Sequence, residues 1–244
     1  MQVNYNDIIN DGCKLSPNNY LKVNINSTTN YPLRDLVESI DKGVEIGSNN
    51  YIDRSEFKFI RTSALSSDKY SIVVDNNSVL SINPKSYVDF KLKENDILIC
   101  KDSNVGEVVK LNYDLPNFMF SSGINRLNII QNKDYIFGIM KNHKFKEQLI
   151  SMIPKGATLM HAKDLYLNCV IPFPKTTNIV EYVSSLVRII SRKEKELELK
   201  MAKINNIIED EILSNQNNND YKYNYPTISS IININRLDTG NYTK

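Results

Sequence analysis

The sequence predicts an α+β protein in which a mixed, β-rich domain is followed by a long coiled-coil-forming helix. Two stretches carry that expectation. Between Phe57 and Met140, short runs of Ile, Val, Tyr and Phe are punctuated by turn residues, the mark of strands. Between Ile179 and Leu213 no Pro or Gly occurs for 35 residues, and apolar residues recur every seven: Val183, Ile190, Leu197 and Ile204. The change of period falls across Pro172–Ile179. It divides the chain into a domain at 1–175, a helix at 176–213 and a polar tract at 214–244 that opens a second unit.

Taken in order, residues 1–30 are Asn-rich and weakly patterned. Pro32 then precedes Leu33, Leu36, Val37 and Ile40, with Gly43 beyond them, which predicts a short amphipathic helix. Strands are expected at Phe57–Arg61, Ser71–Val74, Tyr87–Leu92, Ile97–Cys100, Val105–Leu111, Phe118–Ser121, Leu127–Gln131 and Tyr135–Met140, separated by turns such as Glu94-Asn95-Asp96 and Asp102-Ser103-Asn104. Phe145, Leu149, Ile150 and Ile153 mark a short helix ended by Pro154 and Gly156. Leu165–Ile171 reads as a last strand before Pro172-Phe173-Pro174.

The long helix carries a second row, Val187, Met201 and Ile208, in which Glu194 is the charged member. At 1.5 Å per residue it is about 50 Å long, more than one small domain covers. Its stripe therefore calls for a second long helix from another copy or another chain, and the alternating charges of Arg192–Lys200 suit a solvated outer face. A short repeat points the same way: Cys13–Lys22 aligns with Asn235–Lys244 through Leu15/Leu237, Asn19/Asn241, Tyr20/Tyr242 and Lys22/Lys244.

Composition narrows the function classes. A formal charge of +2 over 244 residues imposes no global demand for nucleic acid. Lys141–Lys163, however, holds five lysines and two histidines against the single acid Glu147, whereas Arg34–Glu56 holds six acids against three bases. The three scattered cysteines, Cys13, Cys100 and Cys169, form no metal-binding spacing and predict a reducing cytoplasm. No segment reads as a signal peptide or membrane span, so no membrane association is expected.

The order of motifs carries a resemblance. Phe59-Ile60-Arg61-Thr62-Ser63, then Asn95-Asp96-Ile97-Leu98-Ile99 with Gly106, then Ile171-Pro172-Phe173-Pro174 leading into the long helix, is similar to one target recognition domain and its conserved helix in the specificity subunits of type I restriction-modification systems. The same module closes fused restriction–methyltransferase enzymes. Here Asn95-Asp96 stands where the family usually has Gly-Asp, and Thr177-Asn178 where it often has Glu-Gln. The resemblance implies sequence-specific recognition of double-stranded DNA at a bipartite target. It also implies an adenine methyltransferase as partner, a restriction subunit as a further one, and no catalysis by this chain. A full subunit has two such domains held apart by antiparallel helices, so two copies of this chain would form a homodimer through their helices. The alternatives are the recognition region of a fused enzyme and a coiled-coil assembly protein that binds no DNA.

Base reading needs short polar side chains and Arg or Lys on loops of a rigid scaffold. Three loops have that chemistry: Arg61-Thr62-Ser63, Lys101 with Ser103 and Asn104, and Ser121-Ser122 with Asn125 and Arg126 around Gly123. Lys155, His161 and Lys163 are expected to touch phosphates. The helix seam is expected at Val183, Val187, Ile190, Leu197, Met201, Ile204 and Ile208. Catalysis has no support: no Gly-rich nucleotide loop, nucleophile elbow or zinc helix occurs, and Asn83-Pro84-Lys85-Ser86 lacks the second Pro and the aromatic of an adenine methyltransferase motif. No metal and no cofactor is expected.

Overall fold

The computed structural model describes residues 29–153 and 161–217, with side chains described through residue 212. The repeat, Lys155 and the polar tract beyond residue 217 lie outside the described residues. Contacts divide the chain into two compact units, Met1–Glu196 and Leu197–Lys244.

The first unit is organised on a four-stranded antiparallel sheet, order β2-β8-β5-β6, built from β2 (Val37–Lys42), β8 (Ile124–Ile129), β5 (Ile97–Cys100) and β6 (Val108–Lys110). All four residues of β5 are buried, because the sheet is covered on both faces. Alternation sends Ile97, Ile99 and Val108 into a core with helices α1 (Lys133–Lys141) and α2 (His143–Met152). Leu98, Cys100 and Val109 turn the other way, into a second core with Ile60, Phe120 and Ile124. Beyond that core lies a three-stranded mixed sheet, β4-β3-β7, of β4 (Val79–Ser81), β3 (Lys58–Ile60) and β7 (Phe118–Phe120), with β3 antiparallel to β4 and parallel to β7. A two-stranded ladder pairs β1 (Thr29–Pro32) with β9 (Val170–Phe173) just before the long helix α3 (Thr177–Asn217).

The α+β expectation holds, and several elements differ. Leu33–Ile40 is not a helix. Leu33–Leu36 form one 3-10 turn, and Val37 and Ile40 lie in β2, paired with Ile129 and Leu127. Their spacing fits either period over eight residues, and the free edge of β8 decides the outcome. Conversely, Tyr135–Met140, expected as a strand, is helical in α1 and buries Tyr135, Ile136, Phe137 and Met140. A six-residue apolar run is compatible with either state. Ser71–Val74 and Tyr87–Leu92 form no named strand, and Leu165–Asn168 is a 3-10 turn ahead of β9. β1 was hidden in the Asn-rich stretch, because a backbone ladder needs no apolar pattern.

Candidate nucleic-acid interface

Three strands of the first unit end together. β3 runs out at Ile60 into Arg61-Thr62-Ser63, β5 at Cys100 into Lys101–Asn104, and β7 at Phe120 into Ser121-Ser122-Gly123 before β8 begins. Backbone bonds tie these loops to one another. Ser121 N–H donates to Ile60 O (3.0 Å), Lys101 N–H to Gly123 O (2.9 Å) and Ala162 N–H to Lys101 O (2.7 Å). Side chains add to the lattice: Asn104 Nδ2 donates to Thr62 O (3.3 Å), and His161 Nδ1 lies 2.7 Å from Asp102 Oδ1. Arg61 and Ser63 both donate to Asn77 O, at 3.2 and 3.4 Å. Gly123 is required by this convergence, since a Cβ there would stand 2.8 Å from Thr62 Cγ2. Ser103 takes a left-handed backbone (φ 62°) at the tip of its loop, as does Lys163 (φ 47°) in its own.

The result is one surface on which Arg61, Ser63, Ser103, Asn104, His161 and Lys163 are exposed and Thr62, Lys101, Ser121 and Ser122 are half-buried. These ten expected residues, from four separated segments, come together. Asp102 joins them; it lies in the expected Lys101–Asn104 loop but is not among the expected contact residues, because its significance depends on His161, 59 residues away.

Two expected readers do not belong there. Asn125 is 0% exposed, opposite Ile99 in the sheet, and its amide donates to the buried Tyr166 hydroxyl at 2.7 Å. Arg126, also in β8, is engaged elsewhere: Nε and Nη2 bind Asp41 Oδ2 (2.8 and 2.6 Å), and Nη1 binds Asp96 Oδ2 and Phe90 O (both 3.0 Å). Burial pulls its pKa down, but the bonds to Asp41 and Asp96 outweigh that and hold it above the ordinary arginine value. The loop ends at Gly123, and the alternation of β8 then puts Asn125 inside and Arg126 in a carboxylate clamp. The basic segment is also partly internal. Lys141 Nζ donates to Ser66 O (2.5 Å) and Val108 O (3.0 Å), with its pKa lowered by burial, and Lys146 pairs with Glu107.

The seam expectation is corrected at its start. Val183 and Val187 pack on their own domain beside Gly138, where a Cβ would stand 3.0 Å from Val187 Cγ2. Glu194 accepts from the Tyr70 amide (3.0 Å to each carboxylate oxygen) and the Ser71 amide (3.1 Å). Ile190, Leu197, Met201, Ile204 and Ile208 are exposed, as are Ile179 and Leu186.

Among the described residues no cluster of His, Cys, Asp and Glu forms a metal site, and no helix is long and apolar enough to cross a membrane. No family model matches the chain, and no curated protein matches it. Solved structures do. The type I restriction-modification S subunit from M. genitalium aligns with a TM-score of 0.51 at 16% identity, over 78% of this chain and 46% of that one. The HsdS subunit from Thermoanaerobacter tengcongensis aligns at 0.45 and 14%, over 70% and 39%. A chain from a structure of type I R-M complex assembly aligns at 0.44 and 16%, over 75% and 44%. The fold is therefore like that of the M. genitalium S subunit, and this chain spans less than half the length of each of these three chains.

Proposed function

We propose that the chain recognises a specific double-stranded DNA sequence within a restriction-modification system. In this reading it directs an adenine methyltransferase to one half of a bipartite target and performs no chemistry itself. The observation that carries the reading is the convergence of the Arg61, Lys101 and Ser121 loops with His161 and Lys163 on one surface. Its donors and acceptors are short, its cations sit beside them, and its backbone is cross-braced. That combination suits base-edge reading flanked by phosphate contacts. Asp102 supplies an acceptor, which an amino group at a base edge can meet.

The exposed residues Ile190, Leu197, Met201, Ile204 and Ile208 support the second part: a partner helix covers them, supplied by a second copy or by a second half-subunit. Two copies paired about a twofold axis would read inverted half-sites at a spacing fixed by the helices.

The test is quantitative binding of duplex libraries by the assembled methyltransferase, with Arg61→Ala and Lys101→Ala. Loss of about 1–3 kcal/mol of discrimination at particular base pairs is expected, with the melting temperature unchanged. Unaltered specificity in both variants refutes the assignment. Sedimentation of Ile190→Asp/Ile204→Asp should show a monomer; a wild-type chain that is itself monomeric at tens of micromolar points to a partner helix in a longer protein.

A further inference from the structure

At the other end of β5 from the loop surface is a pocket of about 350 Å³ between the Glu94-Asn95 turn, the end of β6 and the first part of α3. Four cations line it, Lys110, Arg188, Arg192 and Lys195, against one carboxylate, Glu94. Asp134 already engages the first two, with Oδ1 2.5 Å from Lys110 Nζ and Oδ2 3.2 Å from Arg188 Nη1. Arg192 and Lys195 are held more loosely, 3.9 Å from Glu196 and 3.5 Å from Glu94.

Two of the lining side chains have unmet polar atoms. Asn112 is 4% exposed and Ser191 9%, and neither Asn112 Nδ2 nor Ser191 Oγ has a hydrogen-bond partner. Ser191 is unlike its neighbours on the helix. Ser184 Oγ donates back to Val180 O (2.8 Å) and Ser185 Oγ to Tyr182 O (2.7 Å), the usual resting place for a helical serine. An amide nitrogen can only donate, and buried donors left without an acceptor are rare in folded proteins. What completes this pocket must therefore bring acceptor oxygens, and the cations around it favour negative charge on them.

We propose that this pocket binds a phosphoryl anion, inorganic phosphate or a small phosphomonoester, between α3 and β6. Rotation of the Ser191 and Asn112 side chains, whose Oγ and Nδ2 are buried at rest, brings donors to its oxygens, and Arg192 and Lys195 close over it. The four residues of β5, at about 3.3 Å each, separate it by roughly 13 Å from the loop surface, so the anion is a free ligand and not the backbone of the recognised duplex. Because Ser191, Arg192 and Lys195 lie on α3, the bound anion would brace the helix against the domain.

The test uses the full chain, melted in the presence of inorganic phosphate against chloride at matched ionic strength. A saturable rise in melting temperature is expected with phosphate alone. Ser191→Ala and the exposed pair Arg192→Ala/Lys195→Ala should each weaken the titration, the pair by roughly tenfold or more, while leaving duplex binding unchanged. No rise beyond chloride, or titrations unaltered in both variants, would mean that water alone fills the pocket and would overturn the proposal. Duplex binding weakened by Arg192→Ala/Lys195→Ala in step with the phosphate titration would overturn the assignment to a free anion. Because the phosphate titration contains no DNA, its failure leaves the DNA-recognition reading untouched.

Discussion

Arg126→Ala separates a base-reading arginine from a structural one. In the fold its guanidinium joins β8 to Asp41 on β2 and to Asp96 and the Phe90 carbonyl at the head of β5. Side-chain exposure is 21% for Arg126 and Asp96 and 49% for Asp41. The half-exposed Asp41 arm contributes about 0.5–1 kcal/mol after screening. The arm to Asp96 and Phe90, less accessible to water, contributes about 1.5–2 kcal/mol, because its removal strands a carboxylate and a carbonyl. The sum is about 2–3 kcal/mol, or a fall of roughly 5–10 °C in melting temperature for a domain of this size. Urea denaturation should show a lower midpoint with an unchanged slope. Arg126→Lys should recover little, since an ammonium cannot span both carboxylates. The refuting result is Arg126→Ala with stability within about 0.5 kcal/mol of wild type and specific loss of discrimination at one base pair, which would restore Arg126 to the interface.

Three further outcomes follow from the same contacts. Gly123→Ala drives a methyl to 2.8 Å from Thr62 Cγ2 and should cost about 1–3 kcal/mol, with chemical-shift changes confined to the Arg61, Lys101 and Ser121 loops. Glu194→Ala removes the acceptor of the Tyr70 and Ser71 amides and should cost about 2–3 kcal/mol, with faster hydrogen exchange at those two positions. Burial pushes the Cys169 thiol from 9.0 up to about 12, and the Tyr166 phenol from 10.0 up to about 12 against the lowering pull of the Asn125 hydrogen bond. Both groups hold their protons more tightly when folded. Their contribution is complete below the unfolded values and lost as pH rises through about 9–12, so alkaline melts should steepen there and Cys169→Ser should flatten the decline.

How much was legible depended on whether a residue's role was set locally. β5 was readable because Ile97–Cys100 is apolar throughout and bounded by turns, which a strand buried on both faces requires. The loop surface was readable in its parts, since Arg61, Lys101 and Ser121 each follow such a strand. Its assembly was not, because Ala162 joins Lys101 across 61 residues of chain and Asp102 meets His161 across 59. Arg126 failed for a related reason. Its three acceptors, Asp41, Phe90 and Asp96, lie 30 to 85 residues away, and only strand pairing delivers them. Nothing in Ser122–Arg126 marks where the turn stops and β8 starts. A single residue of register decides whether a polar side chain faces water or the core.

The long helix shows how one sequence pattern serves two surfaces. Val183, Ile190, Leu197 and Ile204 recur every seven residues, and on a straight α-helix each such step falls short of two full turns by about 20°. Such a stripe therefore rotates about the helix axis by about 20° at each heptad. Val183 is partly buried beside Gly138 and Ile190 is 38% exposed, while Leu197 (51%) and Ile204 (56%) lie in a stretch whose described residues are exposed on nearly all faces. Meanwhile the line that stays on the domain passes through Val180, Val187, Ser191 and Glu194, increasingly polar as it goes, and ends in the carboxylate that caps Tyr70 and Ser71. A heptad row can thus dock on the domain over two steps, as Val180, Val187 and Glu194 do, while the row through Val183 and Ile190 lies at the edge of that contact. A partner helix that supercoils around α3 would follow the outer row. The outer row, exposed where the row through Val187 docks, is the part of the helix that the proposed partner helix would cover, and Ile190→Asp/Ile204→Asp tests it.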